Sequence, residues 1–576
     1  MESILNNLEA HPQPQKKESV TPKALLRNIV FKNKDVISLN EDQIIVFVGP
    51  NNVGKSLALR EIYTLLGHSF RSVIISEVET IKYGDSKSVD TLINSVAKKG
   101  AEDEYLRFKG QAIHPDNISR SWEDENRLSI LAPLFSKLLT TEERLKIANT
   151  AENISILTES PSHPYHFLIL NDTFEKEFNK FFKQAFGLDL IVNRAAGKVI
   201  PLHVGVSPEL ESGEDRVSSG YIKKLSMLPT IDRQGDGMRS FVGVLLSAFV
   251  AFESLLFIDE PEAFLHPPQA YLLGQMLAAN ITHGKQIFLA THSEDLLKGL
   301  IDKSPNRVKV IRIERNQNTN EINELNSDAI KTLWRDPLLR YSNILSGIFH
   351  SKVIICESDG DCRFFGAVMD SLTDDKEQVK PDVLFVHCGG KQRIPVIVNA
   401  LVRLGVKLLV VADIDVLNSD SPLREIYSGL GGDWEGLEPI WKRLKSEIEN
   451  KRPELETSDV VSGINKIIEK ETNRVFPKTS VEAIRLLLKK VSPWSEVKSA
   501  GKSFIPAGEA TKLFSEVINR CRSVGFNILE VGELEGFDKT VGGHGPKWVH
   551  EVLEKDLKNE PQLEDARRFV SQLISQ

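Results

Sequence analysis

Several groups of residues in this chain have the types and spacing to do chemistry. The first is Gly49-Pro50-Asn51-Asn52-Val53-Gly54-Lys55-Ser56, a Gly-x-x-x-x-Gly-Lys-Ser run. Its glycines let successive backbone N–H groups curl around a phosphate, with Asn51, Asn52 and Gly54 completing the cradle. Lys55 brings charge to the outer phosphates and the Ser56 hydroxyl can hold Mg²⁺. The second is Asp259-Glu260, where Asp259 suits a Mg²⁺ ligand and Glu260 a water-activating base. Near them in the sequence stand Gly235 and Gly237, opening an apolar segment, and His292 in Thr291-His292-Ser293. The third is a set of acids: Glu357, Asp361, Asp413 and Asp415. Carboxylates brought together repel unless a cation sits among them, and hard oxygen ligands favour Mg²⁺ or Mn²⁺ over zinc.

Such residues need elements to hold them. The apolar run Ile44 to Val48 reads as a strand and Leu57 to Leu66 as a helix, so the glycine run lies in a strand–loop–helix context. Without that context it would be a glycine turn with a surface lysine. Leu255 to Ile258 reads as a buried strand delivering Asp259, and Gln286 to Ala290 as one delivering His292, with an apolar helix from Val242 to Phe252. Short strands are expected at Leu25–Phe31, Val36–Leu39 and Ser72–Ile75, and a closing pair at Val308–Arg315 and Ile322–Leu325. From Asp85 to Asn171 the pattern is polar and mostly helical. Asp172 and Glu175 then resemble a capping box opening a helix whose Phe174, Phe178, Phe181 and Phe182 form a packing stripe, closed by Gly187.

Beyond a helical linkage at Ala329–Ile348, interrupted by Pro337, a new alternation begins. Val353–Cys356 (strand), Phe364–Leu372 (helix), Val383–Val386 (strand), Ile394–Leu404 (helix) and Lys407–Ala412 (strand) make a β-α-β-α-β series. Glu357, Gly389-Gly390 and Asp413/Asp415 follow the successive strands, and parallel sheets put their sites at such strand ends. Helix capping by Asp361 and turn formation by Asp413 and Asp415 would explain each acid singly, but not their placement on one edge.

With 576 residues the chain exceeds one core, and 41% hydrophobic with 26% charged residues is an ordinary globular balance. No apolar run reaches the roughly 18 residues of a membrane span, and Met1 to Val20 has no apolar signal-like core, so a cytoplasmic protein with a flexible tail is expected. Cys356, Cys362, Cys388 and Cys521 have no zinc spacing and fit a reducing compartment. A net charge of −8 and a pI near 6.0 exclude a basic coat over the whole surface. Nucleic-acid contact would then rest on metal ions or on local pairs such as Lys223-Lys224 and Lys489-Lys490.

The order of phosphate loop, Gly-rich helix start, Asp-Glu strand and His strand resembles the ATP-binding-cassette ATPases, in the branch shared with SMC proteins. That resemblance implies that Gly235 and Gly237 reach the γ-phosphate of an ATP held by another subunit, and that His292 senses the γ-phosphate. Two heads would then sandwich ATP in a homodimer or higher homo-oligomer. Gln234 stands where the usual signature serine would be. The later series, Glu357, Gly389-Gly390 and Asp413-x-Asp415, resembles a Toprim domain. Cassette ATPase followed by Toprim is the layout of the OLD (overcoming lysogenization defect) nucleases, among them bacterial anti-phage effectors. Gly532-Glu533-Leu534-Glu535 resembles the family's Gly-x-x-Glu element, with Glu535 as a further metal ligand and Lys547, preferred to Lys539, as the basic residue that stabilises charge on the reacting phosphate.

The expected fold is therefore α/β. A tail over 1–22 precedes an ABC-type ATPase domain over 23–345 with a helical insertion at about 85–190, and a Toprim domain follows over 346–576 with a helical insertion at about 423–515. The implied function is an ATP-hydrolysing, Mg²⁺- or Mn²⁺-dependent endonuclease using two metals, with one ion on Glu357 and Asp413 and the other on Asp361, Asp415 and Glu535. DNA is the first expectation for substrate and RNA the alternative, with further defence-system components as partners and no membrane. An ATP-driven sensor or scaffold is the competing class. Topoisomerase and primase chemistry is disfavoured by the cassette ATPase, and a primase also by the lack of cysteine pairs.

Overall fold

Ile44-Ile45-Val46-Phe47-Val48 is apolar on both faces, as a strand covered on both sides must be, and all of it is buried. The computed structural model describes residues 21–99, 104–109, 111–124, 127–155, 161, 163–250, 253–280, 283–316, 319–325, 344–373, 380–450, 457–471, 475–489 and 493–576. It is a mixed α/β structure divided into two units, Met1–Asp336 and Pro337–Gln576.

In the N-terminal unit a six-stranded sheet runs in the order Thr319–Leu325, Val308–Asn316, Ile44–Val48, Gln286–Ala290, Leu255–Asp259, Ser136–Leu139. All neighbours are parallel except the first pair. The register sets Asp259 opposite Ala290 and Ala290 opposite Phe47. What leaves those three strands therefore emerges along one edge. A separate antiparallel sheet joins Val36–Ser38, Lys23–Phe31 and Ile75–Tyr83.

Several expected elements shift. The Ser72–Ile75 strand instead begins at Ile75, because the Glu61 carboxylate accepts the N–H groups of Val73, Ile74 and Ile75 at 2.6, 2.9 and 2.8 Å. The stretch from Asp85 to Leu190 is not purely helical: Leu106–Phe108 pairs with Gln111–Ile113, and Ser136–Leu139 forms the sheet's outer strand. Strands that short carry too little alternation to be seen in sequence. The Asp172–Phe186 helix is capped by Asn171, whose side chain accepts from Phe174 N–H at 3.0 Å. Glu175 is no box partner; it is buried and takes Arg194 and Arg216. The phenylalanine stripe is packing as expected, with Phe178 and Phe182 buried, while Phe181 meets Phe249 and Phe186 meets Phe241. The apolar helix starts earlier, at Asp236, and ends at Val250; Phe252 lies outside the described residues. So do tail residues 1–20, Lys490, and 326–343, which hold most of the expected linkage and Pro337.

The C-terminal unit is built on a fully parallel four-stranded sheet, ordered Val383–His387, Lys352–Cys356, Leu408–Ala412, Phe526–Ile528. The last strand has no counterpart among the sequence expectations. Between it and Leu408–Ala412 run the expected helices, among them Trp434–Glu449, Pro493–Ala500 and Glu509–Ser523. An aromatic cluster organises the far side: Phe537 packs on Phe364 and Phe365 at 5.9 and 6.1 Å. The fully buried Trp548 lies 5.3 Å from Phe364 and donates its indole N–H to the Asp538 carbonyl at 3.2 Å. That packing sets the Leu534–Phe537 turn against the helix Asp359–Thr373. No helix among the described residues is long and apolar enough to cross a membrane.

Candidate nucleotide and metal sites

The phosphate loop joins its strand to the helix Lys55–Gly67. Gly49 and Gly54 hold left-handed φ values of 135° and 99°, and a Cβ on Gly49 would lie 2.1 Å from the Ile313 carbonyl oxygen. Asn51 and Asn52 are exposed, and Asn320 steadies the loop by donating to the Val53 carbonyl at 2.8 Å. Lys55 is 4% exposed, and its ammonium donates to the Gly49 and Pro50 carbonyls at 2.8 and 2.6 Å. An ammonium held in a ring of backbone groups is poised to turn to a phosphate. Ser56 stands half-buried in the first helical turn.

Across the edge, Asp259 accepts from Arg60 at 3.1 Å through one oxygen, while its other oxygen is buried without a partner. An uncommitted buried carboxylate oxygen fits a hard cation. Glu260 holds a left-handed φ of 48°, and its carboxylate lies 3.9 Å from His292 Nε2. Burial, and then the nearby Lys55 charge, holds the His292 imidazole below its usual range. Glu262 fixes the strand exit, accepting from Thr291 Oγ1 at 2.7 Å and from His292 N–H at 2.9 Å. Burial raises its pKa. Of the two helix-start glycines, Gly235 faces open space, whereas a Cβ on Gly237 would lie 2.6 Å from the Phe264 carbonyl. Gly237 thus permits a close backbone approach. Arg144, which no sequence motif marks, is fully buried and donates to the carbonyls of both Asp259 and Glu260.

In the C-terminal unit Glu357, Asp413 and Asp415 each place a carboxylate oxygen within 4.8 Å of the others. Glu357 also accepts the Asp413 N–H at 3.0 Å, and the Gly389-Gly390 turn returns a backbone N–H to the Glu357 carbonyl at 2.9 Å. Asp361 caps its own turn through Ser358 N–H at 2.8 Å. Burial, and then the nearby Glu535 charge, raises the Asp361 pKa. Burial, reinforced by neighbouring negative charge, also raises Glu357 and pushes Asp413 up to about 7. One Asp415 oxygen is buried without a partner. These are the marks of a carboxylate set that fits a divalent cation.

Glu533, Glu535 and His544 form a second such group, within the same 4.8 Å limit. Glu535 is expected from the sequence; Glu533 and His544 are not, though Glu533 stands inside the same Gly532–Glu535 run. Lys547, expected as the basic residue, is 75% exposed and faces Glu551 at 3.8 Å. One ammonium among the acids belongs to Lys498, 2.8 Å from Asp413, 3.7 Å from Asp415 and 3.9 Å from Glu533. Although burial opposes it, Asp413, Asp415 and Glu357 hold Lys498 above its usual range. Gly532 allows this approach, because a Cβ there would sit 2.1 Å from the Lys498 carbonyl oxygen. Lys391 pairs with Asp415 at 2.8 Å. Nothing near Lys498 in sequence marks it, since it comes from a helix far from the acids.

Comparison with known proteins gives the two units names. Residues 44–298 match the domain model described as "AAA domain, putative AbiEii toxin, Type IV TA system". Residues 348–415 match "Overcoming lysogenization defect protein-like, TOPRIM domain". The chain is an N-terminal ATPase-type domain followed by a C-terminal Toprim domain, and it matches an ATPase–Toprim protein of the OLD family. Among individual relatives is the Old nuclease of Escherichia phage P2, 23% identical over 173 residues, which are 29% of this chain and 28% of that protein. Solved structures similar to this chain include the SMC head domain from Thermotoga maritima, with 10% identity, 52% coverage of this chain and 99% of that one, and a TM-score of 0.28. Another is the Smc head with an extended coiled coil bound to the C-terminal domain of ScpA, from Pyrococcus furiosus, with 14% identity, 54% and 98% coverage, and a TM-score of 0.30.

Proposed function

We propose that this protein hydrolyses ATP in its N-terminal unit and, under control of that cycle, cleaves nucleic-acid phosphodiester bonds with the acids of its C-terminal unit. The observation that carries the reading is the convergence of Glu357, Asp413 and Asp415 at one sheet edge, with an unpartnered buried Asp415 oxygen. Asp361 and Glu535 stand beside them, and Glu533 and His544 extend the donor set. Divalent ions held by these residues, Mg²⁺ or Mn²⁺, would supply an activated water and stabilise the leaving oxygen. Lys498 takes the role that chain order assigns to Lys547: an ammonium placed to balance charge on a phosphate.

In the N-terminal unit Asn51, Asn52, Gly54, Lys55 and Ser56 would cradle the phosphates, with Asp259 holding Mg²⁺, Glu260 as base and His292 at the γ-phosphate. The open face at Gly235 suits contact with ATP bound to a second copy, so a homodimer or higher homo-oligomer is part of the proposal. DNA is the proposed substrate, in the cytoplasm, in defence against phage and together with further defence components. Cleavage assays on plasmid, single-stranded DNA and RNA, with and without Mg²⁺, Mn²⁺ and ATP, test it; no metal-dependent cleavage of any of them would overturn the nuclease reading. The ion pairs Lys498–Asp413 and Lys391–Asp415 favour one second reading, in which the acids form a structural charge network and ATP-driven assembly controls a partner. That reading expects ATP hydrolysis without cleavage.

A further inference from the structure

Arg144 lies on the short helix Thr141–Ile147 with none of its surface exposed. Withdrawing a guanidinium from water is costly unless its N–H groups find acceptors. Here the acceptors are spread over separate elements. Nη1 donates to the Asp259 carbonyl, Nη2 to the Glu260 carbonyl at 3.1 Å and to Thr141 Oγ1 at 3.2 Å, and Nε to Ser240 Oγ at 3.2 Å. Ser240 is itself fully buried, on the helix Asp236–Val250 that Gly235 opens. Gly243 on that helix runs so close to Arg144 that a Cβ there would lie 2.2 Å from the Arg144 carbonyl oxygen. One planar fork therefore fastens the Asp259–Glu260 turn to the Gly-rich helix. The turn needs fastening, since a left-handed φ of 48° at Glu260 is strained for a side chain with a Cβ.

We propose that Arg144 is a positioning residue for ATP hydrolysis, holding Glu260 in its strained conformation and transmitting to it any shift of the Asp236–Val250 helix. The hydrogen bonds of its guanidinium go to Asp259, Glu260, Thr141 and Ser240, none of them in the phosphate loop. It acts through Glu260. The inference rests on the ATPase reading above. A lysine could keep the charge but not the fork to two successive carbonyls plus Ser240.

The test is a cycle in the full-length protein: Arg144→Lys and Arg144→Met, each alone and combined with Glu260→Gln. ATP turnover, titration with a non-hydrolysable ATP analogue and thermal unfolding are read for each. Arg144→Met is expected to lower kcat by about 100-fold, as a misplaced base does, with analogue affinity kept within about 2-fold. Arg144→Lys should fall between it and wild type. Neither should lower the residual turnover of Glu260→Gln further, because the group being positioned is gone. An unchanged kcat, a parallel loss of analogue affinity, or an equal fall in both backgrounds overturns the proposal. If Arg144→Met fails to fold, the Arg144→Lys cycle decides by the same criteria. A wild type without Lys55-dependent ATP turnover removes the ATPase reading and this inference together; additive losses in an active wild type remove this inference alone.

Discussion

Both units carry their candidate sites at the C-terminal ends of parallel strands, yet the two edges differ in charge. In the N-terminal unit the edge is made largely of backbone: a glycine loop with Lys55 turned onto its own carbonyls, beside Asp259, which keeps one oxygen uncommitted. In the C-terminal unit the edge is made of side chains: carboxylates crowd together and two ammonium groups, from Lys391 and Lys498, stand among them. The first is a backbone loop of the kind that cradles anions, with a carboxylate beside it. The second is a carboxylate cluster whose charge two lysines partly offset. One topology serves either purpose, and what differs is whether glycines or acids follow the strands.

The comparison breaks most easily at Glu357. Glu357→Ala is expected to lower metal-dependent cleavage by more than about 100-fold, since losing even an outer partner of a metal site costs 10–100-fold. ATP turnover should stay at the wild-type level; undiminished cutting would show that the cluster is not the cleavage site. Next comes Lys55→Ala, expected to weaken binding of a non-hydrolysable ATP analogue by about 10- to 100-fold, the worth of a charged hydrogen bond. Calorimetric titration measures it, and unaltered affinity would deny the cradle its role.

Lys498→Ala sharpens the contrast through stability. Without that ammonium the acids repel, so the metal-free protein should lose about 1–2 kcal/mol, discounted for partial exposure. Millimolar Mg²⁺ or Mn²⁺ should restore much of it. Melts with and without chelator decide, and a loss that is insensitive to metal would mark Lys498 as ordinary packing. Asn320→Ala is the smallest change: one hydrogen bond to the Val53 carbonyl is removed, at about 1 kcal/mol, which should show as roughly 5-fold weaker analogue binding with cleavage chemistry untouched.

Much of both edges is legible in sequence for a simple reason. Where an apolar run ends abruptly in Gly-x-x-x-x-Gly-Lys-Ser, in Asp259-Glu260 or in Asp413-x-Asp415, strand and site residue are adjacent in the chain. The Ile75–Tyr83 strand is hidden because Glu77 and Glu79 interrupt its apolar pattern, and Phe526–Ile528 because three residues are too few to show a period. Lys498 and Arg144 are hidden on other grounds. Each reaches its acids or carbonyls from a helix that meets the site only in three dimensions, through the close approaches at Gly532 and Gly243. Lys547 is the natural choice in sequence because it follows Glu535 in the chain, but its helix leaves it pointing along the exposed surface toward Glu551. Nearness in sequence groups the acids but does not reach Lys498.

The aromatic cluster behind the Leu534–Phe537 turn would make metal binding at the candidate site observable by light. Trp548 is sealed from solvent, and its indole N–H is tied to the Asp538 carbonyl, three residues beyond Glu535. An ion drawing Glu533 and Glu535 together would move that carbonyl relative to the ring, and indole emission responds to small changes in its local field. A titration with Mg²⁺ or Mn²⁺ should therefore change the protein's emission, and Trp548→Phe should abolish that component. The cluster that shapes the site also gives it an intrinsic fluorophore.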